Sequence, residues 1–388
     1  MFDPETCLNA TVTDLRPSGI RKFFDLLEGM KNVTSLTVGQ PDFETPWHIR
    51  DAGIRSLEEG RTYYTSNNGL PEFRREISAY QERRFGLSYD PETEIIVTVG
   101  GSEAIDLSFR ALLNPGDEVV IPEPCFVCYE PLARLAGGIP VPLRLKSENG
   151  FRLDAEDLKR ALTPNTKIVV LAFPNNPTGA CLTEKDLSEI AEVIRSSGAA
   201  VVSDEIYAEL TYGRRHVSVA SLPGMRERTV VVGGFSKSYA MTGWRLGYTL
   251  APAVFTRQMA KIHQYGIMCA PTVSQYAAVE AARNGDADIE RMKEEYLGRR
   301  NLIVARLREA GLECGLPEGA FYVFPKLPDC GLSSGEFCER LLMEQGVAIV
   351  PGSAFGASGE GFARLSYAYG VRHIEKAVEG IKAFLETL

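Results

Sequence analysis

The stretch "EIIVTVGGSEAIDLSFRALLNPGDEVVIP" (Glu94–Pro122) decides the fold. Its first six residues form a continuous apolar, β-branched run, the texture of a strand buried on both faces. Gly100-Gly101 then opens a helix over "SEAIDLSFRALL", and "EVVIP" is a second buried strand. The same alternation continues outward. "CYEPLARLAG" reads as a helix, "KIVVLAFP" (Lys167–Pro174) as a strand and "EKDLSEIAEVIRSS" as a helix. "AAVVSDEIY" (Ala199–Tyr207) and "TVVVGGF" (Thr229–Phe235) read as further strands. Strands that alternate with helices predict an α/β fold around a mainly parallel sheet.

After about residue 285 the texture changes. "DADIERMKEEYLGRRNLIVARLREAG" predicts one long charged helix with a solvated face, followed by short strands in "GAFYVFP", "VAIVPG" and "ARLSYA" and a closing helix near "HIEKAVEGIKAFLETL". The first forty-odd residues show no sheet pattern. The expected organisation is a large domain over 44–284 and a smaller α+β domain made from 285–388 with an N-terminal arm, 1–43. A chain of 388 residues exceeds what one core usually serves.

Composition narrows the function. A net charge of −9 argues against a nucleic-acid partner, which needs a clustered basic face. No apolar run is long enough to span a membrane. "MFDPETCLNATV" lacks the basic start and apolar core of an export signal, and eight cysteines without one suggest reduced thiols and a cytoplasmic address. Cys125 and Cys128 form a single C-x-x-C with no second pair. The four histidines are scattered, so the expectation is no metal site.

Ligands of open parallel sheets bind beyond the carboxyl ends of the strands, so the residues there carry the chemistry. Gly100-Gly101-Ser102-Glu103 places backbone N–H groups at a helix start, where a phosphate is attracted; read alone it is a plain turn. Asn175-Asn176-Pro177-Thr178-Gly179 is turn-forming and also aims an amide from the sheet edge. Asp204 ends a buried strand and needs a partner. Gly233-Gly234-Phe235-Ser236-Lys237-Ser238 is not a nucleotide P-loop, which requires glycine immediately before the lysine. A lysine among small residues can instead form a Schiff base with a carbonyl. A lysine, an acid and a phosphate-binding helix start are together the groups that hold pyridoxal 5'-phosphate.

In this order the motifs resemble the class I pyridoxal-phosphate aminotransferases of the aspartate aminotransferase fold. They are nearest the prokaryotic branch with aromatic and N-acetyl-diaminopimelate aminotransferases, from "SLTVGQPDFETP" through "ARLSYA". The resemblance implies a seven-stranded, mainly parallel sheet covered by helices in the large domain. It implies that Lys237 binds the cofactor covalently and moves the proton. Asp204 pairs with the pyridine nitrogen, Asn176 and Tyr207 hold the phenolic oxygen, and Phe126 stacks on the ring. Gly101, Ser102 and Glu103 offer N–H groups to the phosphate, with Arg245 as its charged partner. Tyr64 reaches the phosphate from the neighbouring subunit of a homodimer with shared sites. Arg364 clamps the substrate α-carboxylate, with the Gly39 backbone over it. Many relatives carry serine where Gly234 stands, which points to Ser236 or water as the replacement.

The implied reaction moves an amino group from an α-amino acid, aromatic or long-chain, to a 2-oxo acid, 2-oxoglutarate, by a ping-pong route. The arm "PSGIRKFFDLLEGM" supplies Ile20, Arg21, Phe23 and Phe24, which either present charge or apolar surface to the donor side chain or only pack against the other domain. Aspartate aminotransferase, a carbon–sulfur lyase and a non-catalytic effector sensor use the same site chemistry. Such sensors carry an extra DNA-binding domain ahead of this architecture.

Overall fold

The computed structural model describes residues 2–15, 17, 19, 30 and 32–388. The strands are β1 (Thr34–Ser35), β2 (Ile95–Thr98), β3 (Glu118–Glu123), β4 (Ile139–Arg144), β5 (Thr166–Ala172), β6 (Ala200–Asp204), β7 (Thr229–Gly234), β8 (Gly247–Leu250), β9 (Tyr322–Val323), β10 (Val347–Ala348), β11 (Val350–Pro351) and β12 (Ala363–Ser366). Seven of them form one sheet in the order β2-β8-β7-β6-β5-β3-β4. β3 to β7 pair in parallel, and β8 runs antiparallel to both its neighbours.

The β-branched runs are buried as expected: Ile168–Leu171, Val201–Val202 and Val230–Val232 are nearly inaccessible. Each such side chain contributes about 1.5–3 kcal/mol by leaving water. The Gly101–Leu112 helix packs on one face, with Ile105 and Phe109 in one core with Val119, Val202 and Val232. The Glu184–Arg195 helix covers the other face, with Ile190 and Ile194 against Val169, Leu171 and Val201. Two sheet strands have no counterpart among those read from the sequence. "IPVPLR" becomes β4, whose two prolines are tolerated because it is an edge strand. "GYTL" becomes β8, too short to stand out.

The charged stretch after residue 285 is one helix, Asp286–Glu309. With the Ser334–Gln345 and Val371–Leu385 helices it encloses a core around Phe321, Phe337, Leu365 and Phe384. β9, β11 and β12 form a small antiparallel sheet. The N-terminal segment does hold a strand: β1 pairs in parallel with β10 and brings Leu36 into this core. Tyr207, Leu210 and Tyr212, just beyond β6, belong to the same core. The carboxyl ends of β5, β6 and β7 therefore face a seam between the large sheet and the C-terminal elements.

Candidate active site

A cavity of about 360 Å³ lies at this seam. Its wall gathers Gly39, Gly101, Ser102, Phe126, Asn176, Asp204, Tyr207, Ser236, Lys237, Arg245 and Arg364 from positions far apart in sequence. β5 delivers Asn176, β6 ends at Asp204, and Lys237 follows β7 by three residues.

Lys237 Nζ donates to the Gly39 carbonyl at 2.6 Å. Burial, and then the Arg364 and Arg245 guanidinium groups, bring its pKa down to about 8, with Asp204 opposing. A lysine so tuned is a competent nucleophile and proton carrier near neutral pH. Gly39 is glycine for a steric reason, because a Cβ there would collide with the Tyr322 hydroxyl.

Asp204 is fully enclosed. Tyr129 Oη donates to its Oδ2 at 2.7 Å, and the Ile206 N–H donates to Oδ1 at 3.1 Å. Burial raises its pKa, and these two hydrogen bonds oppose the rise. A carboxylate in this position favours a cation facing it.

Arg364, 3% exposed, comes from β12. Its Nη1 donates to Asn176 Oδ1 at 2.9 Å and its Nη2 to the Thr37 carbonyl at 2.5 Å. Its guanidinium lies 4.5 Å from the Tyr322 ring centroid and 4.8 Å from that of Phe355. Among the described residues its buried Nε has no partner, leaving a donor for a planar acid. Because Asn176 spends its oxygen on Arg364, its NH₂ remains to donate into the cavity.

The Gly101–Leu112 helix starts with no side-chain cap, and its N-cap Gly100 has φ 79°. The Arg245 guanidinium packs against Gly100 where a Cβ would stand. Arg245 itself adopts φ 54° and donates to the Thr242 carbonyl at 3.0 Å. Free helix-start N–H groups beside an arginine form an anion cradle. Glu103 is not part of the cavity wall, and its carboxylate turns back to the Val99 N–H and to His263 Nδ1, 2.6 Å away. Ser102, Ser236 and Thr242 bring hydroxyls to the wall. At Gly234 a Cβ would meet Ile206 Cδ1 at 2.5 Å, so isoleucine fills the room a serine would need.

Other sequence-derived residues lie elsewhere. Tyr64 is 77% exposed and is not part of the cavity wall. Ile20, Arg21, Phe23 and Phe24 fall outside the described residues. Cys125 and Cys128 are free thiols flanking Phe126, and no group of three or more metal-binding side chains occurs among the described residues. No helix among them is long and apolar enough to cross a membrane. The sequence reading missed Tyr129, Tyr322 and Thr37. Tyr129 opens the Tyr129–Leu135 helix three residues after Phe126, a closeness in sequence that could have flagged it.

The residues present fit the cofactor that their types suggested. A buried acid awaits a cation, a helix start with Arg245 suits a phosphate, and a lysine of lowered pKa suits a carbonyl. Comparison with known proteins agrees. Residues 31–381 match the family described as aminotransferase class I and II. The putative aminotransferase YugH of Bacillus subtilis (strain 168) is 52% identical, covering 97% of this chain and 98% of that protein. The aspartate aminotransferase of Pyrococcus abyssi is 46% identical over 96% of each chain. The crystal structure of the aromatic aminotransferase from Pyrococcus horikoshii OT3 superposes with a TM-score of 0.90 at 44% identity, covering 94% of this chain and 99% of that one. With fold, cavity and kinship in agreement, the chain belongs to the class I and II aminotransferases and is a pyridoxal 5'-phosphate enzyme.

Proposed function

We propose that this aminotransferase takes an aromatic or long-chain α-amino acid as donor and 2-oxoglutarate as acceptor, in a ping-pong cycle. When bound, pyridoxal phosphate supplies an electrophilic carbon and a ring that accepts electron density from the substrate Cα. The chain's own groups do the rest. Asp204 holds the ring nitrogen protonated, with Tyr129 fixing the carboxylate. Tyr207 and the Asn176 NH₂ donate to the phenolic oxygen, and Phe126 packs on the ring. Gly101, Ser102 and the Glu103 N–H, with Ser236 and Arg245, hold the phosphate. Arg364 binds the α-carboxylate beneath the Gly39 backbone, placing the Cα hydrogen near Lys237, which takes and returns the proton. The division into 44–284 and 1–43 with 285–388 belongs to this reading, supported by the core around Phe321 and Phe384, which is built mainly from 285–388 and to which 44–284 lends Tyr207, Leu210, Tyr212 and Ala240. So does a homodimer in which Tyr64, exposed here, completes the partner's phosphate site. The eight free cysteines support a cytoplasmic address.

One observation carries the donor preference. The cations on the cavity wall, among the described residues, are Lys237, Arg245 and Arg364. All three have work at the cofactor or the α-carboxylate, so none of these described cations is left for the second carboxylate of aspartate; Arg21 lies outside the described residues. 2-Oxoglutarate asks for the same cation and rests on the family resemblance alone. The similarity to the Pyrococcus abyssi enzyme favours aspartate as the second reading. Single-turnover bleaching of the holoenzyme with tyrosine, phenylalanine, aspartate and N-acetyl-diaminopimelate ranks the donors, and recovery with 2-oxoglutarate tests the acceptor. A tenfold lead in rate constant over concentration, ~1.4 kcal/mol at the transition state, assigns the class. An equal lead for aspartate overturns the preference.

A further inference from the structure

Tyr322 lies in β9, outside every motif that marked the site, yet it is part of the cavity wall. It stands 2.7 Å from Tyr207 Oη, and Tyr207 is its only side-chain hydrogen-bond partner among the described residues. Its ring lies under the Arg364 guanidinium, and its hydroxyl abuts Gly39 Cα, leaving no room for a Cβ. The residue is 1% exposed. Two phenols at this distance share one proton, and either can be the donor. A hydrogen-bond acceptor presented to Tyr207 settles the direction. Tyr207 must then give its own proton outward, and its oxygen must accept from Tyr322. Burial raises the pKa of both phenols. At Tyr322 the stacked Arg364 is the main opposing influence, which favours Tyr322 as the donor of the pair.

We propose that Tyr322 is a positioning residue: its hydroxyl donates to Tyr207 and so aims and strengthens the hydrogen bond from Tyr207 to the phenolic oxygen of the cofactor. The proposal rests on the cofactor-site reading given above. Its consequence is electronic. A stronger donor at the phenolic oxygen favours the anionic oxygen, and the protonated nitrogen that Lys237 contributes next to it becomes more acidic.

The test is the pH titration of the visible absorption of the resting holoenzyme. Tyr322→Phe keeps the ring under Arg364 and removes only the hydroxyl. The titration midpoint should rise by about half to one pH unit, the size of one lost hydrogen bond, with the cofactor retained. Gly39→Ala should raise it in the same direction by a different lesion, because the new methyl displaces the Tyr322 hydroxyl; this variant serves if Tyr322→Phe folds poorly. In a Tyr207→Phe background, removal of the Tyr322 hydroxyl should produce no further shift. An unchanged midpoint in Tyr322→Phe, or a shift that persists without the Tyr207 hydroxyl, overturns the proposal. Failure of the site reading itself looks different, since Lys237→Ala would then keep the same pH-dependent colour.

Discussion

Gly234 and Ile206 should behave as one packing unit, and substitution there gives a quantitative test of the cavity's back wall. A serine at 234 places its Cβ 2.5 Å from Ile206 Cδ1 and 3.1 Å from the Leu246 carbonyl. The first contact is about 1 Å inside an ordinary carbon–carbon approach, and overpacking of this kind costs about 1–3 kcal/mol. Ile206→Val deletes the offending Cδ1 and by itself costs about 0.5–1.5 kcal/mol. In the double variant the worse overlap is gone and only the Leu246 contact remains. Its destabilisation should fall short of the sum of the single changes by about 1–2 kcal/mol, the range of coupling between touching residues. Urea unfolding of the cofactor-free protein measures this as midpoint shifts at constant slope. Additivity within about 0.5 kcal/mol would refute the reasoning, because it would mean that Ile206 does not occupy the space a serine needs.

Three further outcomes follow from the geometry. Uptake of pyridoxal phosphate by the cofactor-free protein should track the neutral Lys237 amine, with half-maximal rate near pH 8, and a half-maximum close to the ordinary lysine value of 10.5 contradicts the lowered pKa. Burial opposes protonation of His48, but hydrogen bonds to Asp288 and Glu280, both at 2.8 Å, outweigh it and leave its pKa above 6.5. Its stabilising contribution is therefore fully present below pH 6.5 and is lost as the pH rises through the higher folded value; the difference in urea midpoint between wild type and His48→Gln should shrink over that window, and a constant difference refutes it. Mixing Tyr64→Phe subunits with Lys237→Ala subunits should yield more activity than either parent if Tyr64 crosses a subunit interface, since one site per heterodimer is then intact; no gain counts against the shared site.

The parallel strands were legible because their β-branched runs are buried on both faces, and the residues just past β5, β6 and β7 stand where the cavity forms. What escaped the sequence was set by distant contacts. Tyr322 belongs to a strand of two residues and gains its place through distant partners, Arg364 and Tyr207, the latter 115 positions away. Thr37 acts through a backbone carbonyl, which no side-chain pattern encodes. Glu103 was expected near the phosphate, but it is not part of the cavity wall, and His263, distant in the chain, draws its carboxylate away. β4 was hidden by prolines that only an edge position tolerates.

Among the described residues the cavity wall carries three cations, Lys237, Arg245 and Arg364, against one carboxylate, Asp204. That imbalance makes the amine's basicity a variable set by what is bound. In the proposed reaction a substrate carboxylate on Arg364 would cancel one of the two guanidinium charges that depress Lys237. The lysine then holds a proton more firmly at the moment a Cα hydrogen must be taken up, and releases it more readily once the acid departs. In that reading binding and proton affinity are linked through a single guanidinium, and the substrate's own charge would time the base that acts on it.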